Sequence, residues 1–394
     1  MSTILSFDNL SSLTLQLITT CNISCEYCFQ DAGRVSDTTD GEPKQIANPV
    51  ESAETVIKLM ELSKMKLGVV FSGGEPLLIP TDWYERFFQS MDRYLERTGK
   101  ATDYSVQTNI SILKPEIINL FKKHNVHFSV HYDGEMNDPK LLSKARRDNI
   151  ALLHQYGFRV TGLVVGTVES LQTLSSTINF FSKNGVRFYR INYISSQGRG
   201  HQVSKIPPQL RAESEFEAAF LASQFDFATR DNVVMNKFLF YHENVINGGD
   251  YSHLPRAQKC KAGIYSAYID AAGLIYPCSF FTGLTGPIAK AKDIPTYLDN
   301  ATQAIEMCEA PNPYYDQKCK HCSALPICGE YCALTPVTDK NCMDSYCNSQ
   351  IALLQLMDQN AEVAKLIAKR FLAHKASFPK DMPRTCGTLS QQEA

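Results

Sequence analysis

Three cysteines near the start of the chain, Cys21, Cys25 and Cys28, have a spacing that suits metal binding. They follow residues 13–18, whose alternating leucines have the pattern of a strand. A loop leaving a strand can place three thiolates around one metal centre, but it supplies no fourth ligand. A structural zinc ion takes four protein ligands, and no histidine lies nearby in the sequence. A 4Fe–4S cluster is bound by cysteine thiolates, and one held by only three keeps an iron open for a substrate or cofactor.

The C-x3-C-x2-C spacing, with the aromatic Tyr27 before the third cysteine, resembles the signature of the radical S-adenosylmethionine (SAM) superfamily. The resemblance implies that these thiolates hold a 4Fe–4S cluster whose open iron binds the amino and carboxylate groups of SAM. It also implies that an electron from the cluster cleaves SAM to a 5'-deoxyadenosyl radical. A zinc loop and buried cysteines without a metal are the alternatives.

Length and composition set the class of protein. A chain of 394 residues predicts one large domain and a smaller one. The formal net charge of -2 gives no electrostatic footprint for nucleic acid or for an anionic membrane, so we expect neither as a partner. The N-terminus lacks a signal peptide, and no apolar run is long enough to span a membrane. These features predict a cytoplasmic protein, in which 13 cysteines indicate metal binding or catalysis rather than disulfides.

Strand and helix patterns alternate through the first half of the chain. Strands are predicted at 13–18, 68–74, 104–108, 127–132, 159–167 and 187–194, and helices at 49–66, 81–97, 115–123, 139–156 and 171–184. Asn48, Pro49 and Glu51 have the order of an N-cap, N1 proline and N3 glutamate. Such alternation predicts an α/β fold with parallel strands, either a doubly wound sheet or a partial barrel. The radical SAM resemblance selects the partial (β/α)6 barrel.

Polar motifs follow the predicted strands at the edge where α/β proteins bind ligands. The glycines of Gly73-Gly74-Glu75-Pro76 predict a close approach of backbone amides to an anion or amino acid. The segment matches the family's GGEP motif, which holds the methionyl end of SAM. His131 is expected to be packed or hydrogen-bonded rather than to bind metal. The predicted cofactor-binding residues are Tyr27, Gly73, Gly74, Glu75, Pro76, Gln107, Thr108, Asn109, Ser129, Asp133 and Asn192.

A second set of nine cysteines lies between residues 260 and 347. Its spacing alone suits iron–sulfur clusters and zinc ions equally. The order C-x12-G-x4-C, then C-x2-C-x5-C-x3-C, then a last cysteine resembles the SPASM domain, which houses two auxiliary 4Fe–4S clusters. The resemblance implies that auxiliary cluster I is bound by Cys260, Cys278 and Cys332, and auxiliary cluster II by Cys319, Cys322, Cys328 and Cys347.

Some thiols remain outside this assignment. Auxiliary cluster I then has three assigned ligands. Its fourth ligand is either Cys308 or Cys342, or its fourth position is open to substrate. Cys342 also competes with Cys347 as the last motif cysteine, and Cys347 is preferred because it opens a predicted helix, 348–371. Cys386 is expected to be a free surface thiol in the tail.

The chain is accordingly divided into a radical SAM partial barrel (1–200), a helical bridge (201–255), a SPASM domain (256–350) and a C-terminal helix and flexible tail (351–394). In the bridge, the Pro207-Pro208 pair is interpreted as a boundary that precedes a helix at 213–229.

The resemblance implies an enzyme that contains three 4Fe–4S clusters, uses SAM and receives electrons from a protein such as flavodoxin or ferredoxin. Its expected substrate is a ribosomally made precursor peptide, which receives a cyclophane-like carbon–carbon or carbon–oxygen crosslink on a side chain. Only twenty residues precede Cys21, so leader recognition is expected elsewhere.

Three alternatives remain. The first is an anaerobic sulfatase-maturating enzyme that makes formylglycine, although Ser279 follows Cys278 where that family has the aspartate of a Pro-Cys-Asp motif. Serine cannot replace that proton acceptor at pH 7. The others are a thioether-forming maturase and a zinc-bearing scaffold protein.

Overall fold

The structure is a computed structural model, and it describes residues 7–30, 33–34, 45–134, 140–186, 188–194, 198–202, 206–224, 233–249, 262–294, 303–304, 306–307, 318–328 and 340–376. Its strands are β1 (Ser12–Ile18), β2 (Thr20–Cys21), β3 (Gly33–Arg34), β4 (Gly68–Gly73), β5 (Asp103–Thr108), β6 (His127–His131), β7 (Val160–Gly166), β8 (Phe188–Tyr193), β9 (Ser266–Ile269), β10 (Leu274–Tyr276) and β11 (Ala289–Lys290).

The α-helices of the described residues lie between and after these strands. They are α1 (Pro49–Leu62), α2 (Thr81–Thr98), α3 (Pro115–Lys123), α4 (Lys140–Gln155), α5 (Val168–Gln172), α6 (Leu174–Lys183), α7 (Pro208–Gln224), α8 (Val233–Phe240), α9 (Lys340–Gln359) and α10 (Ala361–Ala376). None of the described helices combines the length and the apolar character that crossing a membrane requires.

Six parallel strands form the centre of the fold. Strands β1, β4, β5, β6, β7 and β8 are neighbours in that order, and each adjacent pair is parallel. Helices connect them, so the predicted α/β fold with a partial (β/α)6 barrel is confirmed. The leucines of β1 are buried, whereas Thr14 and Gln16 between them are only half-buried. One face of each strand therefore packs on the helices, and the other carries polar groups into the barrel.

The packing between sheet and helices is dense in aromatic rings. Phe71 of β4 lies edge-on to Trp83, Tyr84, Phe87 and Phe88 of α2, at centroid distances of 6.4, 5.5, 5.2 and 5.9 Å. Such pairs add about 0.5–1.5 kcal/mol each beyond the area they bury. They fix α2 against the strand that leads into the Gly73-Gly74 turn.

A later part of the chain extends the same sheet. Strand β9 pairs parallel with the free edge of β1, β10 pairs antiparallel with β9, and β11 pairs antiparallel with β10. The segment that contains Cys278 is thereby attached to the strand that leads into the Cys21 loop.

Several predicted boundaries differ from the structure. Helix α1 ends at Leu62 rather than near residue 66, because Ser63 adopts extended backbone and its hydroxyl donates to the Leu10 carbonyl at 2.7 Å. At its other end the prediction is confirmed, because the Asn48 side chain accepts hydrogen bonds from Val50 and Glu51. The helix predicted at 171–184 is two helices, since a capping box of Thr167 and Ser170 starts α5 early.

Two later helices also differ. Helix α7 begins at Pro208, five residues before the predicted start at residue 213, because Pro208 occupies a first-turn position where proline needs no amide hydrogen. The helix predicted at 348–371 is α9 followed by α10. Cys347 lies inside α9 and does not open it, which removes the reason for preferring it over Cys342 as the last motif cysteine.

Candidate active site

The loop that carries the first three cysteines leaves the end of β1 through β2, which pairs with β3. Burial raises the pKa of the Cys21 thiol to about 12 and that of Cys25 to about 11. The charges of Cys25 and Cys28 contribute to the raised pKa of Cys21, and the charge of Cys28 contributes to that of Cys25. The Cys28 amide donates to the Cys25 carbonyl at 3.2 Å. The structure therefore brings these thiols together; they are called the first thiol group below.

The Gly73-Gly74 turn packs directly against the base of this loop. Gly73 has a φ of +142°, and a Cβ at Gly74 would lie 2.0 Å from the Thr20 carbonyl oxygen. The amides of Gly74 and Glu75 donate to the carbonyls of Ile18 at 2.8 Å and Thr20 at 3.0 Å. These two amides therefore hold the strand end, in contrast to the expectation that the turn presents them to a ligand.

The Glu75 carboxylate organises the next strand end. It is fully buried and accepts hydrogen bonds from the Leu77 amide at 2.9 Å, the Thr108 hydroxyl at 2.6 Å and the Asn109 amide at 2.8 Å. Burial raises the pKa of Glu75, and the hydrogen bonds from Thr108 and Asn109 oppose that rise. Pro76 opens a short 3-10 helix, and its carbonyl accepts from the Tyr84 hydroxyl at 2.9 Å.

Asn109 connects β5 to the first thiol group. Its side-chain amide donates to Asn22 Oδ1 at 2.9 Å and lies 3.7 Å from the Cys21 sulfur. Its own Oδ1 accepts from the Ser111 amide at 2.9 Å. The Asn22 amide in turn donates to Ser111 Oγ at 2.8 Å. This closed set of bonds fixes the orientation of Asn109 against the loop.

Two further strand ends meet around a buried arginine. Arg146 of α4 donates to the backbone carbonyls of Asn109, at 2.8 Å, and of His131. The side chains of Gln107 and His131 are hydrogen-bonded at 2.8 Å, as expected for a histidine that does not bind metal. Burial, together with the Arg146 charge, lowers the pKa of His131 to about 4, so the imidazole is neutral at pH 7.

Asp133 links the first thiol group to β7. One carboxylate oxygen accepts from the Val165 amide at 2.6 Å, and the other accepts from the Tyr27 hydroxyl. In the parallel sheet, Ser129 of β6 lies beside Gln107 of β5, and Asn192 of β8 lies beside Val165 of β7. Both side chains are half-buried. The predicted polar residues of β5, β6 and β8 thus lie at the same end of the sheet as the cysteine loop.

Sequence reasoning missed three residues of this site. Asn22 lies between the motif cysteines Cys21 and Cys25, and that position is the signal by which the sequence could have identified it as a site residue. Arg146 is one of several charged residues on a polar helix, and nothing in the pattern distinguishes it. Arg199 comes from a remote segment, where its amide donates to the Cys28 carbonyl at 3.0 Å and its guanidinium to Ser24 Oγ.

Four of the later cysteines are also close together and are called the second thiol group: Cys319, Cys322, Cys328 and Cys347. The Cys322 amide donates to the Cys319 carbonyl at 3.0 Å. Burial raises the pKa of Cys328 to about 12, with contributions from Cys347 and Cys319. Burial likewise raises the pKa of Cys347 to about 11, with contributions from Cys319 and Cys322. This grouping matches the set of residues predicted for auxiliary cluster II.

Cys278 lies at the N-cap of a 3-10 helix, Ser279–Gly283. Two residues later, Phe280 stacks on Phe29 of the cysteine loop, with centroids 6.0 Å apart and planes inclined by 20°. The Cys278 segment therefore contacts the loop of the first thiol group. Cys260, Cys308 and Cys332 of the second set, and the tail cysteine Cys386, lie outside the described residues, and of Cys342 only its place on α9 is described.

In the described ranges, no three side chains of histidine, cysteine, aspartate or glutamate are arranged to hold a metal ion. A cluster of several irons requires a wider spacing of its thiolates than a single ion does. The chemistry of the donors fits an iron–sulfur cluster, because each thiol group consists of cysteines, the usual ligands of such clusters.

Comparison with known proteins identifies the class to which this site belongs. Residues 15–181 match the model of the Radical SAM superfamily, and this part of the chain is a radical SAM domain. It contains the first thiol group, the Gly73-Gly74 turn and the ends of β5 and β6.

The relatives extend the similarity beyond that domain. The chain is 24% identical over 348 residues to a cysteine-type anaerobic sulfatase-maturating enzyme of Clostridium novyi, covering 82% of this chain and 88% of that enzyme. It is 22% identical over 303 residues to the radical SAM cyclopropyl synthase TigE of Paramaledivibacter caminithermalis, covering 71% of this chain but only 59% of TigE.

Solved structures show the same fold. The structure of anSMEcpe with bound AdoMet matches with a TM-score of 0.67 at 16% identity, covering 93% of this chain and 99% of that one. SuiB of Streptococcus suis, bound to its precursor peptide SuiA, matches with a TM-score of 0.59 at 17% identity, covering 84% of this chain and 74% of SuiB. The shared architecture thus includes most of the chain on both sides of the radical SAM domain boundary.

Proposed function

We propose that this protein is a radical SAM enzyme that takes a hydrogen atom from a precursor peptide and installs an oxidative crosslink on one of its side chains. The observation that carries the proposal is the presence of two separate thiol groups in one chain, one of three cysteines and one of four. Similarity to proteins solved with bound peptides supports a peptide substrate.

The first thiol group would hold a 4Fe–4S cluster with one iron open to SAM, because the loop supplies three thiolates. When bound, this cluster and SAM supply the 5'-deoxyadenosyl radical, which removes hydrogen from an unactivated carbon. The side chains around it position and shield these reactants. Asn109 fixes the loop through Asn22, and Glu75 fixes Asn109. The Tyr27–Asp133 pair connects the loop to β7.

The remaining polar groups of the barrel interior are candidates for contact with SAM or peptide. Gln107, Ser129 and Asn192 lie at the strand ends and are half-buried. His131 is neutral at pH 7 and hydrogen-bonded to Gln107, which suits an uncharged contact. In this proposal the side chains bind and orient the substrate, and none of them is required as an acid or base.

The second thiol group would hold an auxiliary 4Fe–4S cluster, and Cys278 would belong to another with Cys260 and Cys332. Closing a crosslink removes two hydrogens from the peptide. One would leave as a hydrogen atom to the 5'-deoxyadenosyl radical, which gives 5'-deoxyadenosine. The other would leave as a proton, released to solvent water, and an electron, and the electron needs an acceptor of the iron–sulfur class. A flavodoxin or ferredoxin would supply the electron that starts each turnover, in a reducing cytosol that keeps the thiols available.

The test is an anaerobic assay of the reconstituted protein with SAM, dithionite and a short peptide encoded beside its gene. We expect about twelve irons per chain, formation of 5'-deoxyadenosine and a peptide that has lost two hydrogens. Fragmentation that locates the loss across two side chains would support the crosslink. Absence of SAM cleavage by protein loaded with iron would exclude the radical reaction.

Formylglycine formation is the second candidate, since the Clostridium novyi sulfatase-maturating enzyme aligns with 82% of this chain. The same assay distinguishes the two when peptides with cysteine or serine in a sulfatase motif are added. Cysteine conversion replaces sulfur by oxygen and removes two hydrogens, whereas serine conversion removes two hydrogens only, the same loss as a crosslink. A hydrazide probe separates the latter from a crosslink, because only the aldehyde reacts. Ser279 at the position after Cys278 favours the crosslinking reaction.

A further inference from the structure

A buried group of charges lies on the helices that follow the barrel; Arg211, Glu215 and Lys237 are called the buried charge site. The Glu215 carboxylate accepts hydrogen bonds from Lys237 Nζ at 2.7 Å, Arg211 Nε at 3.1 Å and the Tyr193 hydroxyl at 2.7 Å. The side chains of Glu215 and Lys237 are 1% and 3% exposed, and that of Arg211 is 12% exposed. Among the described residues, this site has two cations and one anion, which leaves an excess positive charge there.

The ionisation of Glu215 follows from its surroundings. Burial alone would raise its pKa, but the charges of Lys237 and Arg211 lower it to about 2. Burial lowers the pKa of Lys237, which the adjacent Glu215 carboxylate opposes. One anion thus neutralises only one of the two cations, although a buried charge normally needs its own partner.

The second thiol group is the neighbour that such a charge would complement. Tyr346 precedes Cys347 on α9, and its ring centre lies 5.0 Å from the Arg211 guanidinium and 5.8 Å from Lys237 Nζ. Its hydroxyl is hydrogen-bonded to the Cys328 thiol, and the charge of Lys237 acts on Cys328 as well. Lys237 therefore acts electrostatically on Cys328, and Tyr346 contacts both the buried charge site and the Cys328 thiol.

We propose that the buried charge site raises the reduction potential of the cluster held by the second thiol group and thereby makes that cluster the better electron acceptor. The inference rests on the proposed function, because the cluster is itself part of that proposal. A cluster with four thiolates is anionic and gains another negative charge when reduced. A cation in the low-dielectric interior stabilises the reduced form more than the oxidised form, and net charge nearby is a recognised determinant of cluster potentials.

A purely structural role is the rival explanation, since the same contacts join α7, α8 and, through Tyr346, α9. Counting charges separates the two. Lys237→Met removes one positive charge, and Glu215→Gln removes the negative charge. The double variant Lys237→Met/Glu215→Gln has the same net charge as the natural protein although it lacks the ion pair. A structural role gives the two single variants no reason to shift the potential in opposite directions, whereas the electrostatic role predicts opposite shifts that cancel in the double variant.

The experiment is a redox titration of the reconstituted enzyme, followed by electron paramagnetic resonance, in these three variants. The signal of the second cluster is the one that Cys328→Ala removes. We expect Lys237→Met to lower the reduced-to-oxidised ratio at a fixed potential about tenfold, which for one electron is about 59 mV. Glu215→Gln should shift it in the opposite direction, and the double variant should return close to the natural value.

The control is Lys64→Met, which breaks a surface pair with Asp8 in which the lysine is 77% exposed, and it should leave the potential unchanged. Single variants that bind full iron without a shift, or that both shift in one direction, would overturn the inference. If Lys237→Met loses iron, the test rests on Glu215→Gln alone. Absence of an upward shift of the reduction potential in that variant then overturns the inference. If Cys328→Ala leaves the iron content unchanged, the second thiol group holds no cluster, and the auxiliary part of the proposed function fails together with the inference.

Discussion

The two thiol groups differ in the number of their cysteines and in the sign of the charges around them. Near the first, the carboxylates of Glu75 and Asp133 add to the pKa rise of Cys21 and Cys25 that burial causes. Near the second, Lys237 acts in the opposite direction on Cys328, as Lys318 does on Cys347. Carboxylates thus act on Cys21 and Cys25, opposed at Cys25 by Arg146, whereas lysines act on Cys328 and Cys347, opposed at Cys347 by Asp344. The contrast is the one expected for a strongly reducing centre and an electron acceptor.

The two groups are also held differently. The first is fixed by backbone hydrogen bonds at the ends of parallel strands and by small residues that allow close approach. The second depends on helix packing, since Cys347 lies on α9 and the buried charges lie on α7 and α8. Substitutions should accordingly affect the two groups independently.

Removing one thiol from each group gives the largest contrast. Cys25→Ala should lower the iron content by about four atoms per chain and bring 5'-deoxyadenosine formation to background. Cys328→Ala should also lose about four irons, but it should retain SAM cleavage and lose only the peptide product. Iron analysis and chromatography of 5'-deoxyadenosine check both. Loss of SAM cleavage in both variants would mean that the groups are not independent.

Gly74→Ala tests the backbone support of the first group. The added Cβ would meet the Thr20 carbonyl at 2.0 Å, so either the turn or the loop must move. We expect the free energy of unfolding to fall by about 3 kcal/mol, the upper range for overpacking. Denaturant unfolding measures it. The matched control is Gly68→Ala at the other end of β4, where the nearest atom would be 3.6 Å away. Equal losses in both variants would show that the close approach is unimportant.

Glu75→Gln tests the hydrogen bonds behind Asn109. Glutamine presents one oxygen where the carboxylate has two, so at least one of the donors from Leu77, Thr108 or Asn109 loses its acceptor. A buried group left unpaired costs about 1–3 kcal/mol. We expect a loss of stability in this range together with a higher KM for SAM in peptide-free cleavage assays. Thr108→Val removes one donor to the carboxylate and also the acceptor of the Ile110 amide, but it keeps the Asn109 bond and should therefore raise the KM less than Glu75→Gln does. An unchanged KM would separate Glu75 from the SAM site.

Lys318→Met provides the smallest effect. Lys318 lies beside the second thiol group like Lys237, but its side chain is 55% exposed and paired with Asp344 at 2.9 Å. Solvent screens exposed charges, so the shift in potential should be less than about a third of that in Lys237→Met and should vanish in 0.5 M salt. Redox titration at two salt concentrations checks this. A shift as large as that of Lys237→Met would show that burial is not what gives the charge its effect.

The fold followed closely from the sequence, because hydrophobic period and glycine position are local signals. All six parallel strands and the Asn48 cap lie where the pattern predicts them. The errors occur where tertiary contacts decide a boundary. Ser63 ends α1 by bonding to the chain before β1, and no local signal reports that contact. The division of the last helix at Asn360 was also missed.

The candidate cysteines and motif residues stand at recognisable spacings, and their roles as cluster and SAM ligands stay predictions. The supporting contacts have no such signal in the sequence. Arg146, Arg199 and the buried charge site join segments far apart in the chain, and their types are those of ordinary surface residues. For the Gly73-Gly74 turn the need for glycine was predicted correctly but for a different reason, since the missing Cβ makes room for the Thr20 carbonyl.

The pairing of β1 with β9 has a consequence for the synthesis of the protein. Ser11 and Tyr265, which flank this pairing and share a hydrogen bond, are 254 positions apart. At a translation rate of about 5–20 residues per second, the free edge of β1 waits roughly 10–50 s for its partner to leave the ribosome. Throughout that interval an unpaired strand edge adjoins the reactive thiols of Cys21, Cys25 and Cys28. If the first thiol group receives its proposed cluster before β9 pairs with β1, that loading competes with oxidation and aggregation, and slower decoding of the second half should lower the yield of loaded enzyme.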